Sequence, residues 1–385
     1  MAASLPIYMD YQATTPLDGR VLQAMLPFFS KHFGNAASTE HRFGWEAEEA
    51  VAQARAKVCN ALNASHPREI IFTSGATEAN NLAILGALRA YRRKGNHLVT
   101  VCTEHKAVLD PCRWWEKEGG KVTYLPVDTA GLVTPEQVEA ALRPETVMIS
   151  VMLANNEIGV IQPLSEIGAI ARRTGVLFHS DAAQAVGKVP VDVAEMGIHL
   201  LSVSAHKFYG PKGVGALYVR GKNPRVALQP LVYGGGHERG LRSGTLNVAG
   251  IVGLGKAMEL AMAEMEDESK RLLDLRNRLW RGLQGIPGIL MNGDSDRRLP
   301  GNLNISLPGI DNARLIREIY SDLAVSSGAA CTSASPEPSH VLRALPDGET
   351  RASSCLRLGL GRFSTEEEVD FAAGRIARAF RALSA

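Results

Sequence analysis

Between about residues 69 and 220 the chain alternates two apolar patterns. Short runs rich in β-branched residues predict strands at Ile70–Phe72, His97–Val101, Val122–Leu125, Val147–Val151, Val176–His179, Leu200–Val203 and Gly215–Val219. Between them, apolar residues three or four apart predict helices over Glu78–Lys94, Thr134–Leu142 and Leu164–Arg173. Strands alternating with helices imply an α/β fold, with a mainly parallel sheet covered by helices on both faces. In such sheets ligands bind beyond the carboxyl ends of the strands.

The pattern changes after Gly255. A long charged helix, Lys256–Leu283, leads to strands near Asn302–Ser306 and Leu356–Leu358 and a closing helix Thr365–Leu383. This part reads as a smaller α+β unit. The expected division is a large domain over residues 14–255 and a small one built from residues 1–13 and 256–385.

Charge and cysteine usage narrow the function classes. Forty-two Lys plus Arg against forty Asp plus Glu leave a net +2, too balanced to make nucleic acid or an anionic membrane the main partner. No apolar run approaches the roughly 18 residues a membrane span needs. The first ten residues lack a basic region followed by an apolar stretch, so a secretory signal is not expected. The five cysteines have no C-x-x-C spacing, which supports neither a disulfide framework nor a structural zinc site. A cytoplasmic protein with no metal of its own is the expectation.

Candidate chemistry falls at successive strand ends. After Ile70–Phe72 comes Thr73-Ser-Gly-Ala-Thr-Glu-Ala79, a small-residue turn opening a helix. The N–H groups around Ala76 and the Thr77 hydroxyl suit a phosphate. Later strands are followed by Thr103-Glu-His105, by Ala154-Asn-Asn-Glu157 and by Ser180-Asp-Ala-Ala-Gln184. The last is Ser204-Ala-His-Lys-Phe-Tyr-Gly-Pro-Lys-Gly213. Singly, each has a plain explanation as a cap or a polar surface residue. Together, a phosphate cradle, a His, an Asp, a Gln and a Lys describe a pocket for pyridoxal 5'-phosphate. Lys207, at the end of a buried strand, suits a Schiff-base lysine, because desolvation and nearby cations lower an amine's pKa. Lys212, in a glycine-flanked turn, is its rival.

The segments Ser204–Gly213 and Ser326-Ser-Gly-Ala-Ala-Cys-Thr-Ser-Ala-Ser335 resemble the two signatures of NifS/IscS-type cysteine desulfurases. These are class V aminotransferase family members with the fold-type I aminotransferase architecture. Tyr8–Pro16, Phe33–Ser38, Thr103–Lys106, Asn155–Gly159, Arg242–Asn247 and Arg357–Phe363 are similar as well. The resemblance implies that Lys207 binds pyridoxal 5'-phosphate covalently and that Asp181 faces its ring nitrogen. It implies that His105 stacks on the ring and moves protons, and that Gln184 contacts the ring hydroxyl. Ala76, Thr77, Ser204 and His206 would hold the phosphate, joined by Thr245 of the opposite subunit in a homodimer with shared active sites. Asn155 would serve both cofactor and substrate, and Arg357 would grip the substrate carboxylate.

The same resemblance makes Cys331 the residue that decides the reaction. Its thiolate would take the sulfur of L-cysteine, leaving an enzyme persulfide and L-alanine. The sulfur would pass to an iron–sulfur scaffold, with which Cys331 could transiently ligate iron, or to a tRNA-thiolation protein. Cys59, Cys102 and Cys112 lie in helical or strand patterns and read as packing residues. Cys355 is open, with packing favoured. Gln12 replaces the Asn or Ser common in relatives, a change expected to matter little. The chain ends at Ala385, where housekeeping relatives continue with a tail that helps dock the scaffold, so that docking mode is called into question. The alternatives are another class V aminotransferase or a selenocysteine lyase, both leaving Cys331 idle, and a non-catalytic subunit that retains only the fold.

Overall fold

The strands predicted from short β-rich runs are buried on both faces, except the edge strand Lys121–Leu125, which is largely only partly buried. The computed structural model describes residues 5–327 and 338–384. Seven strands form one sheet, in the spatial order Ile70–Thr73, Gly215–Val219, Leu200–Ser204, Leu177–Asp181, Thr146–Ser150, His97–Val101, Lys121–Leu125. Successive side chains on these strands feed two different cores, as the two-residue period requires. Ile70, Phe72, Val99, Ile149, Phe178, Leu201 and Val203 join one apolar cluster. Their neighbours Ile71, Leu98, Met148, Leu177 and Leu200 join another.

Helices cover both faces. On one side lie Arg42–Ala61, Leu164–Thr174 and the first turns of Val248–Leu283, through residues such as Val51, Val58, Ile167 and Leu254. On the other lie Ala76–Ala90 and Lys106–Lys117, through Leu82, Leu88, Val108 and Trp115. Six strands run parallel and Gly215–Val219 runs antiparallel to both its neighbours. The ten residues joining it to Leu200–Ser204 are too few for a helical crossover, which fixes its direction.

The helix Val248–Leu283 has 36 residues and therefore spans about 54 Å. It begins eight residues before the predicted start at Lys256. The segment Gly250–Gly255 reads as a helix breaker by propensity, yet its glycines are contact points. A Cβ at Gly253 would lie 2.6 Å from Met25 Sδ, and one at Gly255 2.8 Å from Ala54 Cα. The far half of this helix contributes Leu272, Leu275, Leu279 and Leu283 to a third cluster. That cluster is completed by the antiparallel strands Asn302–Ser306 and Cys355–Gly359 and the helices Asn312–Ile319 and Glu366–Ser384. Near the N-terminus Ile7–Tyr8 pairs in parallel with Leu323–Ala324. Among the described residues no helix is long and apolar enough to cross a membrane.

Candidate active site

The carboxyl ends of the parallel strands open onto a cavity of about 570 Å³. Its wall contains Ala76, Thr77, His105, Asp181, Gln184, Ser204, His206 and Lys207, the residues expected in one pocket, contributed from four separate strand ends. Lys212 also reaches the cavity, from an exposed turn.

One end of the cavity is suited to an anion. The helix Ala76–Ala90 starts after Gly75, whose φ of +148° few other residues tolerate. The N–H of Ala79 is the first to reach back to a carbonyl, that of Gly75. The N–H groups of Ala76, Thr77 and Glu78 therefore lack helical acceptors, and the helix dipole adds positive potential there. The Ser204 hydroxyl stands 3.6 Å from where a Gly75 Cβ would be. His206 Nδ1 lies 3.0 Å from Thr14 Oγ1. Burial, assisted by Lys207, Lys212 and Lys188, pushes the His206 pKa down to about 4, so near neutral pH its ring is an uncharged hydrogen-bonding group.

Lys207 ends a short turn, Ala205–Lys207, that follows the strand Leu200–Ser204. Its Nζ donates to the carbonyls of Gln12 at 2.7 Å and Ala13 at 2.8 Å. Asp181, the last residue of its strand, is buried and held at both oxygens. Oδ2 accepts from Asn80 Nδ2 at 2.6 Å, and Oδ1 from the Ala183 N–H at 2.9 Å. His105 caps the helix Lys106–Lys117, its Nδ1 accepting from the Ala107 N–H at 3.1 Å. The proton of a neutral His105 ring is therefore on Nε2. Gln184 Nε2 donates to the Gln12 carbonyl at 2.8 Å.

Other predicted residues lie differently. Asn155 is 1% exposed, and its amide is committed to its own turn and to the neighbouring Thr103. Nδ2 donates to the Thr103 carbonyl, while Oδ1 accepts from the N–H groups of Glu157 and Ile158. Its neighbour Asn156 lines the cavity instead. Arg357 is fully buried, donating to the Asn156 carbonyl at 3.0 Å and pairing with Asp10 at 2.8 Å. Thr245 is exposed and does not line this cavity. Cys331 lies outside the described residues. Cys59, Cys112 and Cys355 are buried, and Cys102 is partly so. Burial pushes the Cys355 thiol far above its ordinary range, and its Sγ donates to Asn304 Oδ1 at 3.3 Å.

Several groups at the site escaped sequence reasoning. Ala13 and Thr14 line the cavity, and the Gln12 carbonyl serves it while the Gln12 side chain points to the Gly301 carbonyl at 3.3 Å. Asn80 sits four residues into the helix that opens with Ala76, on its sheet-facing side. Glu104 is completely buried, accepting from the Met152 N–H at 2.5 Å, and its Oε2 has no partner among the described residues. Burial, reinforced by Asp181, raises its pKa well above the usual carboxylate range, which favours its protonated form. The only pointers were that Gln12, Ala13 and Thr14 lie within Tyr8–Pro16, that Glu104 lies within Thr103–Lys106, and that Asn80 directly follows Thr73–Ala79.

The donor set fits pyridoxal 5'-phosphate by its chemistry. Unpaired N–H groups and hydroxyls suit a phosphate, a doubly anchored carboxylate suits a basic ring nitrogen, and a lysine amine suits an aldehyde.

Comparison with known proteins agrees with this arrangement. The family described as Aminotransferase class-V matches residues 7–371. A relative named cysteine desulfurase IscS, from Anaeromyxobacter dehalogenans (strain 2CP-C), is 58% identical over 369 residues, covering 96% of this chain and 91% of the relative. A solved structure titled NifS-like protein superimposes with a TM-score of 0.91 at 37% identity, covering 98% of this chain and all of the other. Another, titled SspA in complex with cysteine, gives a TM-score of 0.81 at 37% identity, covering 93% of this chain and 99% of that one. By its fold, its site and these relatives, the chain belongs to the class V aminotransferase family, among the cysteine desulfurases.

Proposed function

We propose that the protein removes the sulfur of L-cysteine with the help of pyridoxal 5'-phosphate, releasing L-alanine and leaving a persulfide on Cys331. The observation that carries this reading is the convergence of Lys207, Asp181, His105 and the Ala76 helix start on one cavity. When bound, pyridoxal 5'-phosphate supplies an electron sink for negative charge at the α-carbon of the substrate.

The chain's own groups do the rest. Ala76, Thr77, Ser204 and His206 hold the phosphate, with Thr245 reaching in from the opposite subunit of a homodimer. Asp181, fixed by Asn80 and Ala183, keeps a proton on the ring nitrogen. Lys207, its amine cradled by the Gln12 and Ala13 carbonyls, moves the α-proton. His105 stacks on the ring and exchanges protons through Nε2, and Gln184 donates to the ring oxygen. Asn155 and Arg357 receive the substrate carboxylate. Because the Asn155 amide is already bonded to the Thr103 carbonyl and within its own turn, Arg357 supplies most of that recognition, an Arg fork being suited to a carboxylate.

In the sulfur step the Cys331 thiolate attacks the substrate sulfur and a new S–S bond forms as the Cβ–S bond breaks. The electron pair of the broken bond stays on carbon, which takes up a proton to become the methyl group of alanine. The persulfide sulfur then goes to an acceptor protein, either an iron–sulfur scaffold or a tRNA-thiolation protein, in the cytoplasm. The domain division at residues 14–255 belongs to the same reading, with the cysteine segment placed on the smaller domain.

The test is direct. With pyridoxal 5'-phosphate, L-cysteine and a reductant, the protein should form alanine and sulfide together. Cys331→Ala should lose sulfide release while the visible absorbance of the bound cofactor remains. Sulfide release at the unaltered rate by that variant would refute the persulfide route.

A further inference from the structure

A second lysine stands behind the wall of the cavity. Lys188 follows Gly187, whose φ is +77°. A Cβ at Gly187 would lie 2.9 Å from Phe208 Cβ and 3.0 Å from Ala261 Cβ, so this tight turn determines where the lysine sets out. The Lys188 carbonyl accepts from Ser269 Oγ at 2.8 Å. The side chain borders a small space shared with Tyr11, Gln12, Tyr209 and Glu268. Its Nζ donates to Gln184 Oε1 at 3.0 Å.

An ammonium can only donate. The Gln12 carbonyl can only accept, so the NH2 group of Gln184 faces it, at 2.8 Å, and the amide oxygen faces the charged Lys188. The amide is thus oriented at both ends. A primary amide has two N–H donors, and one remains for the cavity that Gln184 lines. The Gln12 carbonyl is shared with Lys207 Nζ, which divides its hold on the amide. The Lys188 contact also polarises the amide, making its N–H groups better donors.

We infer that Lys188 is a positioning residue that orients and polarises Gln184, so that the amide presents an N–H to the ring oxygen of the cofactor. The inference rests on the pyridoxal 5'-phosphate reading above. Burial pushes the Lys188 pKa down to about 7, with Lys207 and Arg357 lowering it further and Glu268 opposing them. Tyr11 and Tyr209 are the other titratable groups on the shared space. An anionic ring oxygen beyond Gln184 favours the charged lysine.

The readout is the pH midpoint of the visible absorption of the bound cofactor. An N–H donor draws negative charge from the ring oxygen. Without it, the protonated group beside that oxygen keeps its proton to higher pH. Lys188→Met and Gln184→Leu should each raise the midpoint by about 0.5 pH unit or more, the scale of one lost hydrogen bond at 1.36 kcal/mol per unit. Lys188→Arg, which still donates, should restore it. The double variant should move no further than Gln184→Leu alone. Lys188→Ala carries the same expectation as Lys188→Met should the latter fail to fold. An unmoved midpoint in Lys188→Met would overturn the inference, as would a full additional shift in the Gln184→Leu background, which would mean the lysine acts by charge alone. Failure of the unaltered protein to develop a visible band with pyridoxal 5'-phosphate would instead refute the cofactor reading itself.

Discussion

Glu157 offers a quantitative test of the electrostatics around the site. It is 5% exposed, and its Oε2 accepts the Ser339 hydroxyl at 2.5 Å. Burial raises its pKa from 4.5 to about 7, although Ser339, Arg357, His105 and Lys106 all pull it down. A carboxyl group with a raised folded-state pKa gives stability that is complete below the unfolded value. That stability declines as pH rises through about 7 and is level beyond. The rise from 4.5 to about 7 amounts to about 3 kcal/mol, at 1.36 kcal/mol per pH unit. Glu157→Gln removes the titration and keeps the shape. Any cost of the new amide is independent of pH, so the signal is the change in the difference between the two proteins. Urea unfolding of both, followed by tryptophan fluorescence at pH 5 and pH 8, should show the variant gaining about 2–3 kcal/mol on the parent between those pH values. A constant offset across pH, or a variant that loses ground as pH rises, would refute the assignment of a buried, proton-holding Glu157.

Three further outcomes follow from the site geometry. Lys207→Ala should leave pyridoxal 5'-phosphate removable by gel filtration and lower alanine formation by about 10³-fold or more, as expected when the covalent and proton-moving amine is lost; retained covalent cofactor would point to Lys212. Asn80→Ala removes the 2.6 Å donor to buried Asp181 and should weaken cofactor binding about 10-fold or more, measured by fluorescence titration, since a charge-assisted bond contributes about 1.5–3 kcal/mol. Gly215→Ala places a Cβ 2.4 Å from the Val203 carbonyl oxygen and 2.6 Å from Gly75 Cα; the apparent melting temperature and the phosphate-dependent part of cofactor affinity should both fall, and an unchanged Tm would count against that packing.

Most strands of the large sheet were legible because they are buried on both faces and leave short runs dominated by apolar residues; the edge strand Lys121–Leu125, only partly buried, is the exception. The start of the helix Val248–Leu283 was not, because glycine propensity argues against a helix there and the compensation is contact with Met25 and Ala54, far away in the chain. The same split holds at the site. Lys207, Asp181 and His105 announce themselves by reactive side chains at strand ends. Asn80 and Glu104 do not, since their roles depend on partners such as Asp181, 101 residues from Asn80. Lys188 carries no motif in the sequence, and its contact with Gln184 exists only in the fold. Asn155 illustrates a third case. The resemblance gave it a ligand-binding role, and the fold adds that its amide oxygen also closes its own turn.

The central claim is that Cys331 receives the substrate's sulfur. Incubation of the pyridoxal 5'-phosphate-loaded protein with sulfur-labelled L-cysteine, quenching by alkylation and peptide mass spectrometry tests it most directly. The account predicts one labelled sulfur added to the Cys331 peptide, appearing together with alanine. Alanine formation with the label never found on that peptide would contradict it.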